Sequence, residues 1–212
     1  MFTEGHEAII SMNGMSSHRA YRLRIRADRQ RETRERIVAA TEALHSEVGP
    51  ARTTIADIAR RAGVERLTVY NHFPELTQLL GACQARFLAA HPPPRVSPDG
   101  ATKEDAIGHL EDALVHLYNW FRANEAMERN IHRDRHLLPE LDHLLQQTAD
   151  PVFDSSAAAY AALIAKRPSA VKAVRSMIHL AFEFRTWQVI THGGASDREA
   201  ARLLSNAIAA VA

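Results

Sequence analysis

The sequence predicts an all-α protein of about nine helices, with a three-helix N-terminal domain followed by a larger helical domain. Apolar side chains recur along most of the chain at the i, i+3, i+4 spacing of a helix face. No segment alternates apolar and polar residues as a half-buried strand does. At 212 residues the chain is long enough for a unit of about 50 residues and a second core of ordinary size.

Residues 1–27 are predicted to form a disordered basic arm in front of the first domain, residues 28–82. The segment from His18 to Arg36 holds eight arginines and three acidic residues, a net charge of +5. Residues 77–212 hold 14 basic and 15 acidic side chains, so the positive charge is local. Such a segment suits a phosphate backbone, although a charged helix start is also typical of plain solvated surface.

The first helix is predicted from Arg29 to about Val48, and Gly49-Pro50 ends it. Its inward face is expected to be formed by Ile37, Ala40, Thr41, Leu44 and Val48.

Two short helices joined by Gly63 follow. Ile55, Ile58 and Ala59 give the first of them an apolar face, and Gly63 is expected to take the positive φ of a helix C-cap. In the second helix Val69 and Phe73 face inward. The side chains left pointing outward are Arg66, Leu67, Tyr70 and Asn71. Such a face is what a recognition helix presents to a DNA major groove, although two short helices around a glycine also occur in ordinary bundles.

The segments Thr54–Val64 and Thr68–Phe73 resemble the N-terminal signature of the tetracycline-repressor-like (TetR) family of bacterial transcriptional regulators. The resemblance covers roughly residues 31–81. Two positions depart from the family pattern: Leu67 replaces a small residue, and Leu76 replaces a lysine or similar donor. A leucine at position 67 favours contact with a thymine methyl, and Leu76 removes one phosphate contact.

The resemblance implies a dimeric repressor that a small-molecule effector releases from a palindromic double-stranded DNA operator. Base edges are expected to meet Arg66, Leu67 and Asn71, with Arg66 on guanine. Phosphates are expected to meet the remaining members of the predicted DNA-binding set, which are Thr53, Thr54, Thr68, Tyr70 and His72. The alternative is a helical binding or scaffold protein that keeps the fold without DNA recognition, and Leu76 is the one feature that favours it.

Residues 83–212 are predicted to form an effector-binding and dimerisation domain. A linking helix ends at Ala90 before three prolines, and further helices are expected over 102–123, around Pro139, and over 149–166, 169–192 and 196–211. Ser196 and Glu199 form a capping-box pattern at the start of the last helix. In the family the last two helices form the homodimer interface, whereas without the resemblance they would equally suit a hairpin in the core of a monomer.

Aromatic side chains concentrate in the second domain and favour a cavity for a hydrophobic effector, although such residues are also ordinary core. The predicted pocket residues are His116, Trp120, Phe121, Met127, Phe153, Tyr160, Phe184 and Trp187.

No metal, cofactor or catalytic function is predicted. Two helical stripes combine histidines and carboxylates, namely His109, Asp112 and His116, and Glu128, His132, His136 and Glu140, but solvated faces explain them as well. The sequence holds no nucleophile elbow, phosphate-binding glycine loop or paired cysteine motif. Cys83 is the only cysteine, and with no secretory signal or run of apolar residues of membrane length we expect a cytoplasmic protein without membrane contact.

Overall fold

The computed structural model describes the backbone of residues 7–212 and the side chains of residues 21–212. Over this range the chain forms eleven α-helices, three short 3₁₀ turns and no strand, which confirms the all-α prediction. The helices are α1 (Glu7–Glu47), α2 (Ile55–Ala62), α3 (Arg66–His72), α4 (Leu76–Ala90), α5 (Ala106–Ala123), α6 (Glu125–Asp134), α7 (Pro139–Gln147), α8 (Ala149–Ile164), α9 (Val171–Phe182), α10 (Phe184–His192) and α11 (Asp197–Val211).

The helix-turn-helix is formed by α2 and α3, which pack on the C-terminal part of α1 and on α4. The Thr54 hydroxyl caps α2 by accepting a hydrogen bond from Asp57 N–H at 3.2 Å. At the other end Gly63 adopts φ 65° and ψ 44°, which confirms the predicted left-handed cap. Val69 and Phe73 are buried at 0% and 4% exposure, so α3 turns its apolar face inward as predicted.

Helix α1 begins much earlier than expected. The backbone is helical from Glu7 rather than from Arg29, so residues 7–27 differ from the predicted disordered arm, and residues 1–6 lie outside the described residues. The segment contains no proline, and an exposed Arg31–Asp28 ion pair of 2.8 Å links two successive turns. Val48, predicted to face inward, is 39% exposed because α1 has ended before it at Glu47.

The second domain is built around α5, α8, α9 and α11. Helix α8 packs along α9, and α5 packs along α11. The fully buried side chains at the centre of this core are Leu110, Leu114, Tyr118, Tyr160, Ile178, Trp187 and Ile208. Ser196 and Glu199 form the predicted capping box at the start of α11, with Ser196 N–H donating to Glu199 Oε2 at 2.8 Å.

The count of eleven helices differs from the expected nine because two stretches are interrupted. The segment 169–192 divides at Glu183, whose ψ of 127° is extended rather than helical. Near Pro139 the chain forms α6, a 3₁₀ turn (Arg135–Leu137) and then α7, which starts at the proline. Proline at a first helical position is favoured because its missing N–H has no partner to lose there.

Helix α6 holds the end of α1. The Asn130 amide donates to the carbonyls of His45 and Ser46 at 2.9 and 2.8 Å, and the Arg133 guanidinium donates to the Val48 carbonyl at 2.8 Å. These carbonyls belong to the last turn of α1 and the residue after it, where a helix has no further N–H groups to bind them. The second domain therefore supplies the cap of a helix in the first.

Asp134 completes this arrangement, and we call Asn130, Arg133 and Asp134 together the α6 clamp. The Asp134 carboxylate is 1% exposed, accepts from Ala51 N–H at 3.0 Å and pairs with Arg133 at 2.6 Å. Burial tends to raise the pKa of Asp134, but the bonds from Arg133 and Ala51 outweigh it and hold the pKa below its usual range. A charged carboxylate therefore joins α6 to the 3₁₀ turn (Pro50–Arg52) that leads into α2.

Candidate nucleic-acid interface and internal cavity

Helix α3 presents a solvent-facing surface formed by four of the predicted DNA-binding residues. Arg66 and Asn71 are exposed, and Leu67 and Tyr70 are 65% and 52% exposed. The helix is fixed from behind by Phe73, over whose ring the Arg34 guanidinium lies at 4.7 Å. The exposed side chains of α3 can therefore approach a DNA groove while Val69 and Phe73 stay packed in the core.

The two threonines before α2 are already engaged in the protein. The Thr53 hydroxyl donates to the Gly49 carbonyl at 2.8 Å, and the Thr54 hydroxyl donates to Asp57 Oδ2 at 2.5 Å. The Thr54 bond, followed by that of Arg60, holds the pKa of Asp57 below its usual range. Because a phosphate oxygen accepts hydrogen bonds, neither hydroxyl can donate to it in this arrangement. Thr53 and Thr54 thus cap and brace α2, a role that the sequence pattern alone did not separate from phosphate contact.

Thr68 and His72 lie on the flank of α3, half-buried, and form one wall of an open cleft of about 470 Å³. The other wall is the exposed N-terminal part of α1, with Arg22, Arg26 and Arg29. The sequence placed the arginine-rich segment next to the helix-turn-helix, but not on a particular side of it.

The second domain contains a cavity of about 520 Å³, a size typical of small-molecule sites. Four of the predicted pocket residues line it, namely Trp120, Phe121, Met127 and Phe153. The sequence did not predict the cavity residues on α1, α4 and α9. They include His45, Cys83, Phe87 and Phe182. No local pattern marks these residues, since they lie on helices that are distant in the sequence and meet only in the folded chain.

Four other predicted pocket residues do not line the cavity. His116 is exposed on α5, whereas Tyr160, Phe184 and Trp187 are fully buried in the core. Tyr160 bonds His109 at 2.7 Å, and the Trp187 indole N–H donates to Asp197 at 2.8 Å. Phe184 stacks on His132 at a centroid distance of 5.2 Å. The polar groups of Tyr160 and Trp187 are thus paired at the edge of the core rather than directed into the cavity, and Phe184 lies behind His132, which lines the cavity.

Two titratable groups on the cavity wall, His45 and Cys83, are held in their neutral forms by burial. Burial lowers the pKa of His45 to about 4 against the opposing charge of Asp134, and burial raises the pKa of Cys83 to about 12. The Arg135 guanidinium is bound to Asp142 and Asp150 at 2.6 Å each. The wall presents aromatic and aliphatic surface, the neutral imidazole of His45 and the protonated thiol of Cys83. It also includes the paired Arg135 and the acidic side chains of Glu128, Asp150, Asp154 and Glu183.

The two histidine stripes are engaged in other contacts. His109 bonds Tyr160, and His132 lies 3.6 Å from Glu128 while stacking on Phe184. Among residues 21–212 no three His, Cys, Asp or Glu side chains are grouped closely enough to hold a metal ion. Within the same range, none of the helices has the length and apolar character needed to cross a membrane.

The geometry defines an all-helical helix-turn-helix protein with an internal cavity. Residues 37–83 match the family model described as bacterial regulatory proteins, tetR family. This match confirms the resemblance to the TetR family that Thr54–Val64 and Thr68–Phe73 carry.

Two curated relatives are similar to this chain. They are the HTH-type transcriptional regulator TtgR and the probable HTH-type transcriptional regulator ArpR, both of Pseudomonas putida, and each is 33% identical over 88 residues. The match spans 42% of this chain and 42% of the length of each relative. A crystal structure of a TetR transcriptional regulator from Rhodococcus sp. RHA1 is 20% identical, with a TM-score of 0.45, and covers 87% of this chain and 97% of that one.

Proposed function

We propose that the protein is a DNA-binding transcriptional regulator, a dimeric repressor that a small-molecule effector releases from a palindromic operator. The observation that carries the proposal is the solvent-facing surface of α3 within the segment that matches the TetR family. In this proposal residues 28–82 form the DNA-binding domain and residues 83–212 the effector-binding and dimerisation domain.

Sequence readout is assigned to three side chains of α3. Arg66, Leu67 and Asn71 meet base edges, and the Arg66 guanidinium has the two parallel donors that match the O6 and N7 atoms of guanine. Thr68, Tyr70 and His72 meet phosphates, which fix the orientation of the helix without reading sequence.

Dimerisation through the C-terminal helices is supported by apolar side chains left on the surface of α9, α10 and α11. Leu180, Val189 and Leu203 are 47%, 74% and 57% exposed. Helices α9, α10 and α11 are neighbours, so these large exposed apolar side chains are candidates for a protein interface. A two-fold symmetric dimer places two copies of α3 about one turn of DNA apart, which is the spacing of a palindrome.

Effector control is supported by the position of α6, which has one face on the cavity and the other on α1. Met127 and Ile131 line the cavity, while the α6 clamp binds the end of α1. Helix α4 also lines the cavity, through Cys83 and Phe87, and leads directly from α3. An effector that favours one position of α4 and α6 therefore shifts the spacing of the two recognition helices.

The DNA-binding part is tested with the purified protein and a DNA duplex from immediately upstream of its own gene, over a salt series. Arg66→Ala is expected to weaken binding by about 1–3 kcal/mol, because one base contact is lost. Arg95→Ala is the matched control, since Arg95 is an exposed arginine in the loop between α4 and α5, outside both α3 and the proposed dimer surface. Absence of wild-type binding even at low salt would overturn the proposal and favour the scaffold alternative, whose structural support is the 37% exposed Leu76 in place of a phosphate donor.

The effector part is tested with Nile red, an uncharged apolar dye, as a probe of the cavity. Ala149→Trp places an indole on the cavity wall and is expected to abolish the rise in dye fluorescence that wild type gives. Ala159→Trp is the control, because Ala159 is exposed on the same helix. Equal dye binding by all three proteins would contradict an effector site in this cavity.

A further inference from the structure

The N-terminal part of α1 extends well beyond the core of the first domain. Side chains from Tyr21 to Arg36 are exposed or half-buried, and Ile37 is the first fully buried residue of the helix. At 1.5 Å per residue, these 16 residues make a rod of about 24 Å. The rod carries seven of the 26 basic residues of the chain and has a net charge of +4. None of these arginines belongs to the DNA-binding set predicted for α3.

The arginines of this rod are distributed over two opposite faces. Arg22, Arg26 and Arg29 follow the i, i+4, i+7 spacing of one face, which lines the cleft beside α3. Arg24 and Arg31 lie about half a helical turn away, on the opposite side. Arg31 is also bound to Asp28 at 2.8 Å.

The cleft between the rod and α3 has a chemistry that suits a phosphodiester chain. Three arginines form one wall, and Thr68 and His72 form the other. The side chains that line it include no carboxylate among the described residues, so nothing there repels an anion. A guanidinium offers two parallel donors that match phosphate oxygens, and the open cleft admits a continuous strand rather than a small ligand.

We propose that this cleft binds the sugar-phosphate backbone of DNA, so that Arg22, Arg26 and Arg29 form a second phosphate-binding surface beside α3. The inference rests on the proposed DNA-binding function and extends it. The surface contacts phosphates only, so it raises the affinity for every DNA sequence and lengthens the contacted segment without reading bases. Arginines on the opposite face of the same rod take no part.

The test compares two double variants that remove the same charge from the same helix. Arg22→Gln with Arg26→Gln alters the cleft face, and Arg24→Gln with Arg31→Gln alters the opposite face. Binding is measured against salt concentration with a 40-bp duplex from upstream of the gene of this protein and a scrambled duplex of equal composition. Each lost phosphate contact lowers the slope of log K against log salt by about 0.9, so the cleft-face pair is expected to lower it by about 2 for each subunit, or about 4 for the dimer, on both duplexes.

Three controls keep the outcome interpretable. The opposite-face pair is expected to change the slope by less than half as much. The pair Arg22→Lys with Arg26→Lys keeps the charge and is expected to keep most of the slope, and circular dichroism checks that all variants retain their helix content. Hydroxyl-radical footprinting is expected to show a shorter protected segment for the cleft-face glutamine pair alone.

The possible failures are distinguishable. Equal slope changes for the two faces would overturn the proposal in favour of diffuse charge. An unchanged slope with the cleft-face pair would also overturn it, while leaving the proposed function intact if Arg66→Ala still weakens binding. If wild type binds neither duplex at low salt, both proposals fail together.

Discussion

Protonation of His45 is expected to destabilise the folded protein as the pH falls from about 7.5 to about 5. The imidazole is 4% exposed and lies between the end of α1 and α4, with its Nδ1 at 3.6 Å from Cys83 Sγ. Asp134 on α6 attracts a proton to it, but the cost of burying a charged ring is larger and lowers the pKa to about 4. The folded protein therefore holds His45 neutral.

The magnitude follows from the difference between the folded and unfolded states. An unfolded chain takes up this proton near pH 6.5, whereas the folded chain takes it up only near a pKa of about 4. The free energy of unfolding therefore starts to fall as the pH drops below about 6.5, and the loss is complete once the pH is below about 4. For one site, these two pKa values give a loss of about 2 kcal/mol at pH 5 relative to pH 7.5.

The assay is urea unfolding of wild type and His45→Gln across this pH range. Glutamine does not titrate in this range. The free energy of unfolding of wild type is therefore expected to fall by about 2 kcal/mol relative to that of His45→Gln as the pH falls. His116→Gln is the matched control, because it makes the same substitution at a histidine that is exposed on α5, away from the buried site of His45. Parallel pH profiles for wild type and His45→Gln would refute the reasoning.

Two further pairs of variants test the domain junction and the dimer. Gly49→Ala is expected to lower the free energy of unfolding by about 2–4 kcal/mol, because φ is 96° and a Cβ atom would overlap the α6 clamp. Gly100 also has a positive φ, 83°, but the space around it is open, so Gly100→Ala should cost only about 1 kcal/mol. Both glycine variants are measured by thermal unfolding. Val189→Glu is expected to convert a dimer to monomers in sedimentation experiments, whereas Leu137→Glu, at a position 68% exposed outside α9–α11, should not. Equal melting temperatures for the glycine pair, or equal masses for the glutamate pair, would contradict these expectations.

The helix-turn-helix was predictable because short-range signals determine it. The left-handed Gly63 and the inward pair Val69 and Phe73 each act within a few residues, and each appears in the structure as predicted. The cap by Thr54 is equally local, but Thr54 was assigned to a phosphate contact rather than to a cap. The outward face of α3 follows from the same periodicity, so its candidate contact residues follow too.

The cavity was only half predictable because its wall comes from distant parts of the chain. His45 and Cys83 are 38 residues apart, and no periodic pattern links them. The aromatic content indicated that an apolar space exists, but Tyr160 and Trp187 turn into the core because His109 and Asp197 bind their polar groups there. Partners of that kind are visible only once the helices are packed.

The α6 clamp limits how far the two parts of the chain can be treated as interchangeable modules. A chimera that joins residues 28–82 to the sensing domain of another protein would keep every residue of the recognition helix. It would lose the donors that Asn130 and Arg133 supply to the carbonyls at the end of α1, and the carboxylate of Asp134 that holds Ala51 N–H. A domain that replaces residues 83–212 therefore has to bring a helix that can make the contacts of α6 with the end of α1.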